Sequence, residues 1–331
     1  MLKLLKHYQK ILIILSFSYL YLLMVLVMPT EMAVTAPGGL NAVDEAIVIE
    51  GVEMVNNFNT VFVYSYYPIT PFQSWMLAKD ETMNVYLMTD RMLDTSLRED
   101  YLQGQLTKHV SLKTSIIKAY EIASIEQPEI SIEYHYAGLY VYYRPSRISE
   151  LEIGDEIVEI NGESYLEHSH TEFVELAYQS DVSYKVKRIV GDQITYETIQ
   201  YSYVDTDEYM VFYPNYTIDS AEPSYEFPGL NGIVGGPSGG LVQTLSIYVS
   251  LVNINLGTNK IAGTGTIEMS GSVGRIGGIT QKIYTAIYNN VDIFFIPESH
   301  YNEISHIDYP FEMVRVETVE QAVLWLNERF N

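Results

Sequence analysis

Eighteen consecutive residues without a charge, Ile11 to Met28, constrain this chain more than anything else in it. At about 1.5 Å of helix rise per residue the run is just long enough to cross a bilayer core. Lys3, Lys6 and Lys10 precede it and the next charge is Glu31. The positive-inside rule then leaves residues 1–10 as a cytoplasmic tail, 11–28 as a single membrane span, and everything after it on the outer side of the cell membrane. A cleaved signal peptide is the alternative. Its apolar region is usually shorter, and the Ala33/Ala36 pair is a weak cleavage site. The tail holds three of the 19 basic residues and none of the 42 acidic ones, so the remainder carries 16 against 42, a net −26. That excess argues against a nucleic-acid partner, because phosphate binding depends on Lys and Arg. The absence of cysteine excludes a disulfide framework, a thiol nucleophile and thiolate metal sites.

Beyond the span, composition divides the chain. Residues 36–41 (APGGLN) read as a short linker. Ala46–Val52 and Thr60–Tyr67 are β-rich runs flanking Asn56-Asn57, a hairpin pattern. Thr95–Ser124 has apolar residues at helical spacing and reads as one or two amphipathic helices, ended by Gln127-Pro128. Ile132–Tyr143, Tyr184–Val190 and Ile194–Tyr203 read as strands, the last two joined by a Gly191-Asp192 turn. Thr171–Tyr178 reads as a short helix. The expected division is 29–131 for a linker with a strand-and-helix region that can belong to the last domain, 132–203 for a β-rich domain, and 204–331 for an α+β domain.

Within 132–203, Gly138-Leu139-Tyr140-Val141, the run from Leu151 through Gly154-Asp155 to Asn161-Gly162, and the following helix resemble a PDZ domain of the bacterial protease kind. Such a domain binds an extended peptide as an added strand. The resemblance implies a peptide-binding edge at Gly138, Leu139, Tyr140 and Val141.

The chemistry concentrates after residue 205. Gly235-Gly236-Pro237-Ser238-Gly239-Gly240 precedes an apolar helical run, Leu241–Val252. A serine in a glycine-rich turn at a helix start is surrounded by backbone N–H groups able to stabilise an oxyanion. Helix capping is the ordinary alternative for such a serine. Ile261–Ile267 reads as a strand leading through Gly277-Gly278 into a helix, Ile279–Tyr288, with Lys282 in its first turn. The helix dipole and burial there both favour the neutral amine that a general base requires; a surface lysine is the alternative. His168 and His170, and His300 and His306, read as non-functional. No G-x-x-x-x-G-K-[ST] occurs, so no P-loop for ATP is encoded.

Taken together, Gly236-Pro237-Ser238-Gly239-Gly240, the strand around Thr264 and Gly277-Gly278-x-x-x-Lys282 resemble the proteolytic domain of Lon. The family's usual Ala is replaced by Gly239, whose freedom can loosen the helix start. The resemblance implies a Ser–Lys dyad of Ser238 and Lys282, Thr264 as the residue holding the lysine, and backbone donors at Gly236, Ser238 and Gly239. It implies no metal or cofactor. The whole chain resembles the membrane-anchored PDZ–Lon-like serine proteases.

The expected fold class is therefore α+β: a transmembrane helix, a PDZ-like β-rich domain and a Lon-type proteolytic domain. The expected partners are a peptide or protein substrate and the membrane. ATP and nucleic acid are not expected, and homo-oligomers are consistent with the rings Lon domains can form. A catalytically inactive PDZ/Lon-like binding scaffold at the cell surface is the alternative.

Overall fold

A computed structural model describes residues 8–191, 193–203, 209–228 and 234–330. Lys3, Lys6 and Asp192 lie outside these residues. Helix α1 (Gln9–Val27) spans about 28 Å at the usual rise and buries none of its side chains. It is long and apolar enough to cross a membrane, and a signal sequence passes the same test.

The first extended segment follows at once. Strand β1 (Met32–Ala42) pairs antiparallel with β3 (Phe58–Tyr66), with a bulge between Pro37 and Gly39. Residues 36–41 are therefore strand and not linker. Proline and glycine tolerate the bulge, and a Cβ at Gly38 would lie 2.2 Å from the Phe62 carbonyl oxygen. The expected 46–67 hairpin is also corrected. Strand β2 (Val48–Ile49) pairs with β11 (Tyr225–Glu226), so 46–52 leaves the β3 sheet entirely.

Next come α2 (Pro71–Leu77), β4 (Asn84–Leu87), α3 (Asp90–Asp94) and α4 (Leu97–Glu126). Helix α4 is a single 30-residue helix, opened by a Ser96/Glu99 capping box. A β-rich unit follows: β5 (Ser131–Tyr143), β6 (Glu156–Ile160), β7 (Glu163–Ser164), α5 (His170–Leu176), β8 (Asp181–Val190), β9 (Gln193–Ser202) and β10 (Val211–Glu222). Its sheet runs β10-β5-β6-β8-β9 around its own core, centred on Leu139, Ile157, Phe173 and Val186. Asn161 and Gly162 both take positive φ at the β6–β7 turn, the conformation an Asn-Gly pair accepts readily.

The last stretch holds α6 (Gly240–Val252), β12 (Ile261–Gly263), β13 (Thr266–Ile267), β14 (Val273–Gly274), α7 (Ile279–Tyr288), β15 (Ile293–Pro297), α8 (Tyr301–Ile304), β16 (Glu312–Val316) and α9 (Val319–Phe330). It completes a six-stranded sheet, β16-β15-β12-β3-β1-β4. The strands from β16 to β3 are parallel, while β1 and β4 are antiparallel. Every residue of β15 is buried because both faces are covered. Ile293 and Phe295 face a core shared by α4, α6 and α9. Phe294 and Ile296 face α7 and α8. Three N-terminal strands, β1, β3 and β4, thus finish a sheet whose other three strands all lie after residue 260.

Candidate active site

The site forms where three chain segments meet at the end of β12. The strand expected over 261–267 breaks after Gly263. Thr264 N–H donates to the Phe295 carbonyl at 2.9 Å, and Gly265 N–H donates to the Ser238 carbonyl at 2.8 Å. The break turns Thr264 inward, where it is fully buried. Gly278 caps α7 at a φ of 67°, a left-handed conformation that suits glycine. It starts the helix so that Lys282, one turn in, points back to Thr264.

The polar atoms form a closed set. Lys282 Nζ lies 2.7 Å from Ser238 Oγ and 2.9 Å from Thr264 Oγ1. Thr264 Oγ1 donates to the Ser238 carbonyl at 3.1 Å. A threonine hydroxyl has one proton to give. With that proton committed to the carbonyl, Thr264 accepts from Lys282. The neutral amine can then spend one N–H on Thr264 and aim its lone pair at the Ser238 hydroxyl. Lys282 is 3% exposed. Burial pulls its pKa from the ordinary lysine value down to about 7, because a charged ammonium loses its hydration there.

Helix α4 backs the loop that carries Ser238. Gly236 N–H donates to the Gly104 carbonyl at 2.8 Å. Ser111 Oγ donates to the Pro237 carbonyl and Ser115 Oγ to the Gly240 carbonyl. These contacts correct one expectation: the Gly236 N–H is spent on Gly104 and is not an oxyanion donor. Ser238 and Gly239 N–H have no acceptor among the described residues. Gly239 also has a packing role. A Cβ there would lie 2.8 Å from the Thr60 methyl on β3, so glycine is what lets α6 and β3 approach. The α4 residues were not legible as site residues, because their role is to accept and donate to backbone in another segment.

A cleft of about 1150 Å³ opens over Ser238 and Lys282. Its wall includes Thr60 to Ser65, consecutive residues of β3. A cavity on one sheet face would meet alternate residues; contact with six in a row means that it runs along the strand's edge. Strand β12 pairs with β3 only as far as Thr60, while β1 covers the other side through Tyr66. Among the described residues the edge of β3 beyond Thr60 is therefore open, and it begins beside the Ser238 loop.

His300 has a supporting position. Ile276 N–H donates to His300 Nε2 at 2.8 Å, and Nδ1 lies 3.1 Å from Glu303 Oε1. The ring thus fixes the turn that leads into Gly277-Gly278. His168 Nε2 lies 2.8 Å from Glu163 Oε2, away from Ser238 and Lys282. His306 is exposed.

The peptide-binding edge expected at Gly138, Leu139, Tyr140 and Val141 is overturned. Leu139 and Tyr140 pair with Pro214 and Tyr213 of β10 on one side and with Ile157 and Glu156 of β6 on the other. Val141 pairs with Phe212 and donates its N–H to the Asp155 carbonyl. An incoming strand finds no free edge there.

Residues 199–325 match the family model of the Lon protease (S16) C-terminal proteolytic domain. The match supports a Lon-like, serine-type protease domain over that stretch. It includes Ser238, Thr264 and Lys282, but not β1, β3, β4 or α4, which supply the open edge and the loop's support. No curated protein matches the chain.

Proposed function

We propose that this chain is a membrane-anchored, ATP-independent serine endopeptidase that works through a Ser238–Lys282 dyad on the outer side of the cell membrane. One observation carries the reading: a buried lysine amine, with its pKa near 7, sits 2.7 Å from a serine hydroxyl at the end of a cleft. Lys282 takes the proton from Ser238 Oγ as that oxygen attacks the peptide carbonyl. The N–H groups of Ser238 and Gly239 receive the oxyanion. The Lys282 ammonium then protonates the departing amine, leaving an ester on Ser238. Water, deprotonated by the same amine, hydrolyses that ester and restores the serine. Thr264 touches no substrate; it orients the amine.

The substrate lies extended along the open edge of β3, where main-chain hydrogen bonds accept many sequences. With no ATP-binding loop in the sequence, only segments already flexible reach the cleft. α1 is read as an uncleaved anchor. The β5–β10 unit is read as PDZ-like in its strands and helix, with β10 lying where a peptide ligand would pair.

The test uses the full chain in detergent or vesicles with a set of unstructured peptides. Ser238→Ala should remove all cleavage, and a serine-reactive probe should label the wild type alone. Cleavage that survives Ser238→Ala would reject the dyad. A wild type that neither cleaves nor reacts would favour a binding scaffold instead.

A further inference from the structure

Helix α2 has no core behind it. None of its residues is buried, although it carries a complete Thr70/Gln73 capping box and a proline at its start. A seven-residue helix is marginal in water without an apolar face to bury. Phe72, Trp75 and Met76, at i, i+3 and i+4, share one side and stay 39%, 61% and 47% exposed. Lys79 Nζ sits 3.6 Å from the centre of the Trp75 ring. An aromatic-rich apolar face with a cation at its rim is the composition found where protein meets lipid headgroups.

Its place in the chain says which surface it meets. Thr30, three residues beyond α1, donates both its N–H and its hydroxyl to the Ile69 carbonyl, two residues before α2. The two helices also touch. Leu87, 63% exposed, pairs with Met32 on the same rim. Whatever plane α1 emerges from, α2 is tied beside that exit.

The open edge of β3 leads to the same place. Thr60 touches the nucleophile loop, and from there the chain reaches Ile69 in at most about 30 Å of extended backbone. The cleft already extends to Ser65 and Tyr86 along this path.

We propose that Phe72, Trp75 and Met76 of α2 insert into the outer leaflet beside α1, and that this second contact holds the open end of the cleft to the bilayer, so that the substrates are polypeptides anchored in the same membrane. The proposal rests on the anchor and peptidase reading above. A substrate strand along β3 then needs roughly ten extended residues between the membrane and its scissile bond.

The chain has two tryptophans, so a Trp325→Phe variant of the full protein isolates Trp75. Reconstituted into phosphatidylcholine vesicles with a minority of phosphatidylglycerol, Trp75 should shift to the blue and be quenched by acyl-brominated lipid. Emission that stays water-like and unquenched overturns the membrane contact. A blue shift that depends on protein-to-lipid ratio without quenching also overturns it, since a second copy would then cover the face. In the second arm, one peptide is offered free and tethered to the vesicle by a hydrophobic anchor. Phe72→Ser/Met76→Ser should leave cleavage of the free peptide intact and lower that of the tethered one about tenfold or more. Equal loss for both, or none for either, overturns the substrate class. Absence of any Ser238-dependent cleavage would instead reject the peptidase reading, while the quenching result still decides the membrane contact.

Discussion

In the proposed mechanism, burial of the Lys282 amine acts on catalysis and on stability in opposite directions. As a base the amine works only when neutral, so kcat/KM should rise with pH through about 7 and level off above it. A rise centred near the free lysine value would show that the amine is not desolvated. For stability, the folded chain holds this group near 7 and the unfolded chain near 10.5. Between those values the unfolded state binds more protons, so this group makes folding more favourable as pH rises. Below about 7 the folded chain carries the buried charge in full. Lys282→Met should therefore abolish cleavage yet raise stability, by roughly 1–4 kcal/mol near pH 6, with the gain fading in alkali. Urea unfolding at the two pH values checks this, and a destabilised Lys282→Met would refute it. The motif pair Ser238 and Lys282 was readable in the sequence because each sits in a glycine-marked helix start. The spent Gly236 N–H was not, because its partner is a carbonyl 132 residues away.

Among the elements, α4 is the backstop of the loop that carries Ser238. Gly104 and Gly235 meet with no side chain between them. A Cβ on Gly235 would lie 2.7–2.9 Å from the Gly104 backbone, whereas one on Gly104 would make ordinary contact at 3.5 Å. The two substitutions should therefore behave differently. Gly235→Ala should move the loop off α4 and lower kcat at least tenfold, with KM little changed. Gly104→Ala should keep activity and add up to about 1 kcal/mol of stability from helix propensity. Peptide kinetics and thermal unfolding of both variants separate these outcomes; equal damage from both would mean that α4 does not support the loop. The helix itself was legible from its apolar spacing, though as one or two helices. Its function depends on Ser111, Ser115 and two glycines, which carry no chemical signature of their own.

At the scale of the molecule, two units are joined through α4 and β10. Helix α4 packs on α6 and also on β5 and β10. Lys113 donates to Asn215 and to the Tyr216 carbonyl, fastening β10 to the helix that holds the Ser238 loop. Because β10 fills the edge of β5, peptides with free C-termini should not bind at Leu139–Val141 in the intact protein. Amide hydrogen exchange checks this: added peptides should leave protection of 139–141 unchanged. A saturable change there would mean that β10 can be displaced.

The apolar helix, the helices that present Ser238 and Lys282, and the charge that separates the tail from the rest were all readable from the residues in order. These follow from local composition, periodicity and capping, which act within a few residues. Three features came from the folded chain: residues 36–41 are strand, β1, β3 and β4 complete a sheet whose other strands lie after residue 260, and the β5 edge is closed. Strand pairing is chosen between distant segments by shared burial and register, and a bulge built on Pro37-Gly38-Gly39 looks locally like a linker. The depressed pKa of Lys282 belongs to the same class. The lysine is written in the sequence, but the exclusion of water around it exists only once three remote segments have closed over it.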